Sequence, residues 1–244
     1  MTAADGAVDV SVVIPAFDEA ERIPQTLREL AGVLAAAPQR WAWEIVVSDD
    51  GSTDGTAEAS ARAGLPAAAL RVVRSARNRG KGHAVRAGML AARGGVRVMA
   101  DADASMPATE LPELVGPVAR GEADVVVGSR YAGGGHARGQ SPLRRAWSRV
   151  AHRLTGSLVP GVRDLHCGYK AFGARAAEDV FGRATVDRWG FDLEILALAL
   201  RRGHRVLEVP IAWNDAGRSR VRARDFPQTA WEVLRLWRRL KRER

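Results

Sequence analysis

Apolar and polar positions along the first half of the chain separate strands from helices. Val10–Ile14 (VSVVI) is a short apolar run closed by Pro15, and Trp43–Ser48 (WEIVVS), Leu70–Arg74 and the alternating run Val96, Val98, Ala100 have similar form. Short runs of this kind read as strands, those at Trp43–Ser48 and from Val96 as buried ones. Between the first two, Ile23, Leu27, Leu30 and Leu34 recur at steps of four, three and four, the apolar stripe that a helix turns toward a core. Thr56–Ala63 and about Gly82–Ala92 read as further helices. Strand and helix alternate, which predicts an α/β fold with a mostly parallel central sheet and helices on both faces.

Beyond residue 120 the alternation loosens. Asp124–Gly128 (DVVVG) predicts another strand, and Gly133–Gly139 is too glycine-rich for regular structure, which marks it as a candidate mobile loop. Leu143, Trp147, Val150, Leu154 and Leu158 form a helical stripe interleaved with Arg144, Arg145, Arg149 and Arg153. A helix around Phe191–Arg201 and a strand over Val206–Ile211 follow. In the tail, Trp231, Leu234 and Trp237 are interleaved with Arg235, Arg238, Arg239, Lys241 and Arg242. Both basic amphipathic stretches fit a helix on an anionic membrane surface, and equally a core helix with one solvated face. This divides the chain into a domain over 1–225, with halves at 1–120 and 121–225, and an appended basic helix over 226–244.

Charge sharpens that division. The chain has 244 residues and a net charge of +9; residues 1–120 carry a net −2 and residues 121–244 a net +11. A near-neutral half joined to a basic half predicts two surfaces with different partners. The basic surface suits nucleic acid, an anionic membrane or a phosphorylated substrate. No basic–aromatic motif or DNA-reading helix supports the first of these, so nucleic acid is set aside. Cys167 is the single cysteine, so no disulfide forms within the chain, which fits a reducing compartment; with no activating partner in sequence, it reads as core. No apolar run approaches the roughly 20 residues that span a bilayer. The start, MTAADGAVDV, lacks the basic and apolar regions of a secretory leader. The expectation is a cytoplasmic protein, peripheral on the cytoplasmic face of a membrane.

The candidate chemistry lies at the strand exits. Asp18 and Glu19 follow the first strand, Asp49 and Asp50 the second, and Asp101 and Asp103 the run that begins at Val96. Ligands of parallel sheets gather at the carboxyl ends of strands. In an extended segment, residues two apart point to the same side, so Asp101 and Asp103 can share one hard divalent cation, which in turn can grip a diphosphate. Asp50–Asp54 (DGSTD) fits this edge, and fits a capped loop as well.

Eight segments in order carry a resemblance. They are VSVVIPAFDEAERI ending at Ile23, VVSDDGSTDGT (46–56), NRGKGHAVRAGM (78–89), DADAS (101–105), VVGSRY (126–131), HCGYKAF (166–172), WGFDLEIL (189–196) and EVPIAWND (208–215). Together they resemble the inverting nucleotide-sugar glycosyltransferases of the GT-A type, glycosyltransferase family 2. Within these they look most like the dolichyl-phosphate β-glucosyltransferases and their bacterial polyprenyl-phosphate relatives.

The resemblance implies a GT-A (Rossmann-like) fold and residue roles. Pro15, Ala16, Phe17 and Glu19, with Asp49 and Asp50, would line the nucleotide pocket, the carboxylates accepting from base and ribose. Lys81 would stand by the donor phosphates. Asp101, Ala102 and Asp103 would complete the donor site, Asp103 as main ligand with Asp101 for Mg²⁺ or Mn²⁺. Arg218 would close over the phosphates. Arg130, Arg144 and Arg145 would clamp an acceptor phosphate, with Asp103, Arg130 and Arg145 as the catalytic set. Asp192 and Glu194 occupy the place where hydroxyl-modifying relatives keep a catalytic carboxylate; two apart on a helix they diverge, so at most one faces the cleft.

The implied activity is metal-dependent, inverting transfer of a hexose, glucose from UDP-glucose, to a polyprenyl or dolichyl monophosphate, with a membrane surface as partner. The close relatives often have Asp-Thr-Gln-Cys-Gly-Phe-Lys where this chain has Asp164-Leu165-His166-Cys167-Gly168-Tyr169-Lys170. His166 and Tyr169 thus differ beside the expected acceptor site, which keeps a soluble acceptor open. Donation from GDP-mannose is the other alternative, against which Ser105 stands where mannosyl-transferring relatives often carry glutamine. A non-catalytic nucleotide-sugar sensor is opposed by the Asp101/Asp103 pair and Arg130.

Overall fold

The computed structural model describes residues 7–103, 106–132, 136–138, 158–214, 232 and 235–239. In chain order the elements are β1 (Val10–Ala16), α1 (Ile23–Ala36), β2 (Trp43–Asp49), α2 (Thr56–Ala61), β3 (Leu70–Arg74), α3 (Lys81–Ala91), β4 (Val96–Met99) and α4 (Leu111–Ala119), the last preceded by a single 3-10 turn. Then come β5 (Val125–Ser129), β6 (His136–Arg138), β7 (Lys170–Gly173), α5 (Ala174–Phe181), α6 (Phe191–Arg201), β8 (Val206–Pro210) and β9 (Ala212–Asn214).

Seven strands form one sheet in the order β3-β2-β1-β4-β7-β5-β8, and β6 pairs with β9. All neighbours in the large sheet are parallel except β7, which runs antiparallel to both β4 and β5. The expected mostly parallel sheet is therefore present, with one reversed strand that the apolar pattern did not predict. β7 opens on Lys170, whose charge breaks the apolar run by which a buried strand is read.

Strand pleating distributes the core between two faces. Val12 and Ile14 pack with Ile45, Val98 and the α1 stripe on one face, joined by Leu111 and Leu114 of α4. Val13, Val46, Met99 and Phe172 face the other way, onto Val85 and Met89 of α3, Val180 of α5 and Leu196 of α6. Ile23, Leu27, Leu30 and Leu34 are all buried, each contributing about 2 kcal/mol by removal from water. The sheet is thus covered on both sides, as the alternation of strand and helix requires.

At the amino edge of the strands, Glu44 of β2 is fully buried. It accepts the Ser11 hydroxyl at 2.7 Å and the Arg93 backbone N–H at 2.7 Å, and pairs with the Arg93 guanidinium at 2.7 Å. Burial would raise its pKa, yet the Arg93 and Ser11 hydrogen bonds hold it below the ordinary carboxylate value. That edge is closed. The sequence runs from β1 to β3 in one direction and then places β4 on the other side of β1, so a topological switch point opens at the carboxyl ends of β1 and β4, where open α/β sheets bind ligands.

Candidate active site

The site edge begins with a clasp between the β1 and β2 exits. The register Ala16↔Asp49 brings the two exits side by side, and Asp50 donates its N–H to the Ala16 carbonyl at 2.9 Å. The 50–54 segment then holds the β1 exit by side chains. Asp18 donates its N–H to the Ser52 hydroxyl at 2.9 Å, Glu19 to Thr56 at 2.9 Å and Ala20 to Asp54 at 2.9 Å. In return the Asp18 carboxylate accepts the Thr53 N–H at 3.0 Å. Asp18 has a φ of 50°, a left-handed backbone tolerated by aspartate, whose short side chain bonds locally. The capped-loop reading of DGSTD is what the hydrogen bonds show: the segment is a clasp on the β1 exit. Within it Pro15 and Phe17 are partly exposed while Ala16 is buried, and Glu19 is buried and paired with Arg22 at 3.1 Å.

Asp49 and Asp50 are both buried. Asp49 accepts the Ser52 N–H at 2.9 Å and lies 3.3 Å from Arg74. Asp50 accepts the Arg79 and Gly80 N–H groups at 2.9 and 2.6 Å, and its second oxygen lies 3.2 Å from His83 Nδ1. Asp50 thus holds the loop entering α3 with both its oxygens. Gly51, at φ 76°, lies so close to Arg77 that a Cβ would overlap its backbone, which fixes the same loop from the other side.

That loop delivers Lys81, the first residue of α3. Its Nζ lies 2.6 Å from Asp101 Oδ1, and both side chains are about a quarter exposed, at 23% and 25%. Burial opposes charge on Lys81, but Asp101, Asp192 and Asp103 together hold its pKa above the ordinary lysine value. The structure therefore brings Lys81 and the Asp101/Asp103 exit together, with Ala102 buried between the carboxylates. Behind Asp101 stands Gly168, where a Cβ would overlap the Asp101 carboxylate; glycine is required there for close approach.

On the far side, β7 and α6 supply a buried ion pair. Lys170 is fully buried and donates to the Cys167 carbonyl at 2.6 Å and to Asp192 Oδ1 at 2.6 Å. Burial would push the Asp192 carboxyl up, but Lys170, with His166 and Lys81, brings it down to about 2. His166 is half exposed, its Nδ1 4.0 Å from Asp192. Glu194 turns the opposite way. It is fully buried, accepting the Thr185 N–H at 3.0 Å and the Val186 N–H at 2.7 Å. Tyr169 is buried, its hydroxyl donating to the Met106 carbonyl at 3.4 Å, and burial raises its pKa. Cys167 is buried core as expected, its thiol pushed up to about 12 by desolvation first and Asp164 second.

Arg130 stands just past the β5 exit, with its guanidinium already engaged. Asp164 receives its Nε at 2.7 Å and its Nη2 at 2.7 Å, along with its backbone N–H at 3.0 Å. The forked pair makes Asp164 the orienting partner of Arg130, because a guanidinium this buried needs a carboxylate. Arg239, read in the sequence as part of a basic outer face, instead pairs with Glu194 at 2.6 Å, since a buried carboxylate recruits a cation. Arg144, Arg145, Arg218 and Ser105 lie outside the described residues, as do most of the 143–158 stripe and the Gly133–Gly135 part of the glycine-rich loop.

Sequence reasoning missed Asp164, Gly168 and Lys170 as site residues. The first and third act through partners 34 and 22 positions away, which no local pattern reveals; all three do lie within the segment whose motif drew attention to His166 and Tyr169.

Among the described residues, no helix is long and apolar enough to cross a membrane, and no cluster of three or more His, Cys, Asp or Glu is arranged to hold a metal. The Asp101/Asp103 pair still fits Mg²⁺ or Mn²⁺, because such ions are commonly held by one or two carboxylates and complete their shell with phosphate oxygens and water.

Comparison with known proteins identifies the fold and the family. A dolichyl-phosphate beta-glucosyltransferase of Trichomonas vaginalis is 34% identical over 238 residues, covering 94% of this chain and 71% of its own. The human dolichyl-phosphate beta-glucosyltransferase is 32% identical, covering 87% of this chain and 69% of its own. The crystal structure of glucosyl-3-phosphoglycerate synthase from Mycobacterium tuberculosis in complex with Mn²⁺, uridine diphosphate and phosphoglyceric acid superposes with a TM-score of 0.70 at 22% identity, over 94% of this chain and 77% of that one. The fold is thus that of the GT-A glycosyltransferases. The family model for glycosyl transferase family 2 matches residues 11–181, a span running from β1 through β4 to the end of α5, and the chain is a glycosyltransferase belonging to that family.

Proposed function

We propose that the chain transfers glucose from UDP-glucose to a polyprenyl monophosphate, a dolichyl phosphate or its bacterial counterpart, with inversion at the anomeric carbon. The observation that carries this reading is identity of 30% or more, over most of the chain, to dolichyl-phosphate beta-glucosyltransferases from Trichomonas vaginalis, Saccharomyces cerevisiae and Homo sapiens.

In this reading the nucleoside diphosphate lies along the clasped β1 and β2 exits, beside Pro15, Ala16, Phe17, Glu19 and Asp49, with Asp50 setting the shape of the wall. Asp103 and Asp101 hold Mg²⁺ or Mn²⁺. Such an ion, when bound, neutralises charge building on the departing diphosphate. Lys81 adds a point charge to the same phosphates, and Arg218 closes over them. Its present partner Asp101 keeps the ammonium charged and aimed at the β4 exit.

Asp192 bears on the acceptor. Lys170 holds Asp192 ionised, which makes it a weaker base than an ordinary carboxylate. A phosphate oxygen is already anionic near neutral pH and attacks the anomeric carbon in line without deprotonation, the carbon–oxygen bond to UDP breaking as the new one forms. The chemistry on this side therefore favours a phosphate acceptor. Its charge is met by Arg130, kept in a fixed orientation by Asp164, together with Arg144 and Arg145. The net +11 of residues 121–244 suits both this phosphate and an anionic membrane carrying the lipid, so the protein works as a peripheral enzyme at that surface.

The test is transfer of radiolabel from UDP-glucose to polyprenyl phosphate in detergent with Mn²⁺. Label that extracts into organic solvent supports the reading. Label found only in a water-soluble product, or transferred only from GDP-mannose, overturns it.

A further inference from the structure

The geometry points to Arg239 and Glu194 as positioning residues: an interlock by which the C-terminal helical segment sets the loop that supports Lys81. The inference rests on the proposed role of Lys81 beside the donor phosphates, and it adds a contribution from a part of the chain remote in sequence.

The interlock can be followed contact by contact. Helical residues 235–239 and Glu232 lie against the loop that joins α5 to α6. Leu236 is buried in the core cluster formed on that face. Glu232 accepts the Gly190 N–H at 3.1 Å, and Arg239 reaches both Glu194, at 2.6 Å, and the Thr185 hydroxyl. Glu194 in turn binds the Thr185 and Val186 N–H groups. The Arg239 guanidinium thus closes a buried carboxylate whose other partners are the Thr185 hydroxyl and the backbone of this loop.

The loop is the seat of the first turn of α3. His83 donates its N–H to the Asp187 carbonyl at 3.0 Å. The Asp187 carboxylate pairs with Arg79 at 2.9 Å and with Arg86 at 2.9 Å, and Arg86 also donates to the Ala184 carbonyl at 2.9 Å. Neither glycine flanking Lys81 has room for a side chain. A Cβ at Gly80 would overlap Asp187 and Arg188, and one at Gly82 would overlap Val186 and Phe191. Residues on both sides of Lys81 therefore rest on 184–191, and a shift of that segment must move the lysine. Close packing of this kind transmits small displacements, since a packed contact cannot yield on one side alone.

Contact alone does not establish coupling, which has to be measured. The Arg239 side chain is 29% exposed, and Arg239→Lys, which keeps a cation beside Glu194, is made alongside Arg239→Ala. Two readouts are taken: amide hydrogen exchange across residues 79–84 without ligand, and the dissociation constant for UDP with Mn²⁺. We expect faster exchange across 79–84 and about fivefold weaker UDP binding, equivalent to ~1 kcal/mol. KM for the acceptor should stay unchanged, and Arg239→Lys should recover most of the UDP affinity. Asp187→Asn, on the other side of the loop, should also weaken UDP, and the double variant should fall short of additivity. Unchanged exchange in Arg239→Ala overturns the interlock, as do additive effects in the cycle or equal losses toward donor and acceptor. If the unaltered protein fails to bind UDP, the donor reading falls and the exchange result alone decides the interlock.

Discussion

Two strand exits carry paired aspartates, and they are built for opposite purposes. At the β2 exit, Asp49 and Asp50 are buried, at 0% and 2% exposed, and Asp50 has both oxygens engaged by Arg79, Gly80 and His83. At the β4 exit, Asp101 stays a quarter exposed and meets a lysine, with Gly168 leaving room for its carboxylate. One pair is buried among the loops around it, while the other stays partly exposed. Equal residue types at equivalent positions of a sheet thus diverge through what the following loop offers them. After β2 that loop is met by the N–H groups leading into α3, which are natural carboxylate partners. After β4 the facing segment is Cys167–Lys170, whose polar group is turned inward to Asp192.

The sharpest way to break this contrast is substitution within each pair. Asp103→Ala should lower metal-dependent turnover about 10³-fold, as loss of a charge-stabilising group does, while the melting temperature stays near that of the unaltered protein. Asp50→Ala should act the other way round, costing about 2–3 kcal/mol in urea denaturation because buried N–H groups lose their acceptor. Asp103→Ala that unfolds the protein, or Asp50→Ala that leaves stability intact, would reverse the assignment.

A second contrast, smaller in effect, lies within α6. Asp192 titrates at about 2 instead of its ordinary 3.8. A carboxyl with a depressed folded pKa contributes stability above the unfolded value and loses it as pH falls, here between 3.8 and about 2, on the order of 2 kcal/mol in all. Carboxyl-carbon NMR should find the low midpoint, and Lys170→Met should move it upward. A midpoint near 4 would remove Lys170 from its role. Smaller again is Gly168→Ala, whose added methyl displaces the Asp101 carboxylate. About a tenfold rise in KM for UDP-glucose, with the fold retained, is expected from moving one of two charged ligands.

Much of the fold was legible from short apolar runs and helical stripes, the runs of the central strands β1, β2 and β4 being buried on both faces. β3 and α6 fall where the periodicity puts them, and β1, β2 and β8 differ by a residue or two at their ends. β7 was not legible, since its first residue is a buried lysine whose partner is on another element. The same reason hid much of the site. Carboxylates at strand ends can be read from sequence, but whether an oxygen is taken by a distant N–H cannot, so Asp50 and Asp101 looked alike. Arg130 and Arg239 were legible as charges, whereas Asp164 and Glu194, which orient them, are tertiary partners.

In the proposed function the β4 exit, and not the β2 exit, holds the metal that meets the diphosphate. Calorimetric titration of UDP into the protein with and without Mn²⁺, repeated on Asp103→Ala, tests it directly. Mn²⁺ should strengthen UDP binding in the unaltered protein and have no effect on the variant. Undiminished strengthening by Mn²⁺ in Asp103→Ala would contradict it.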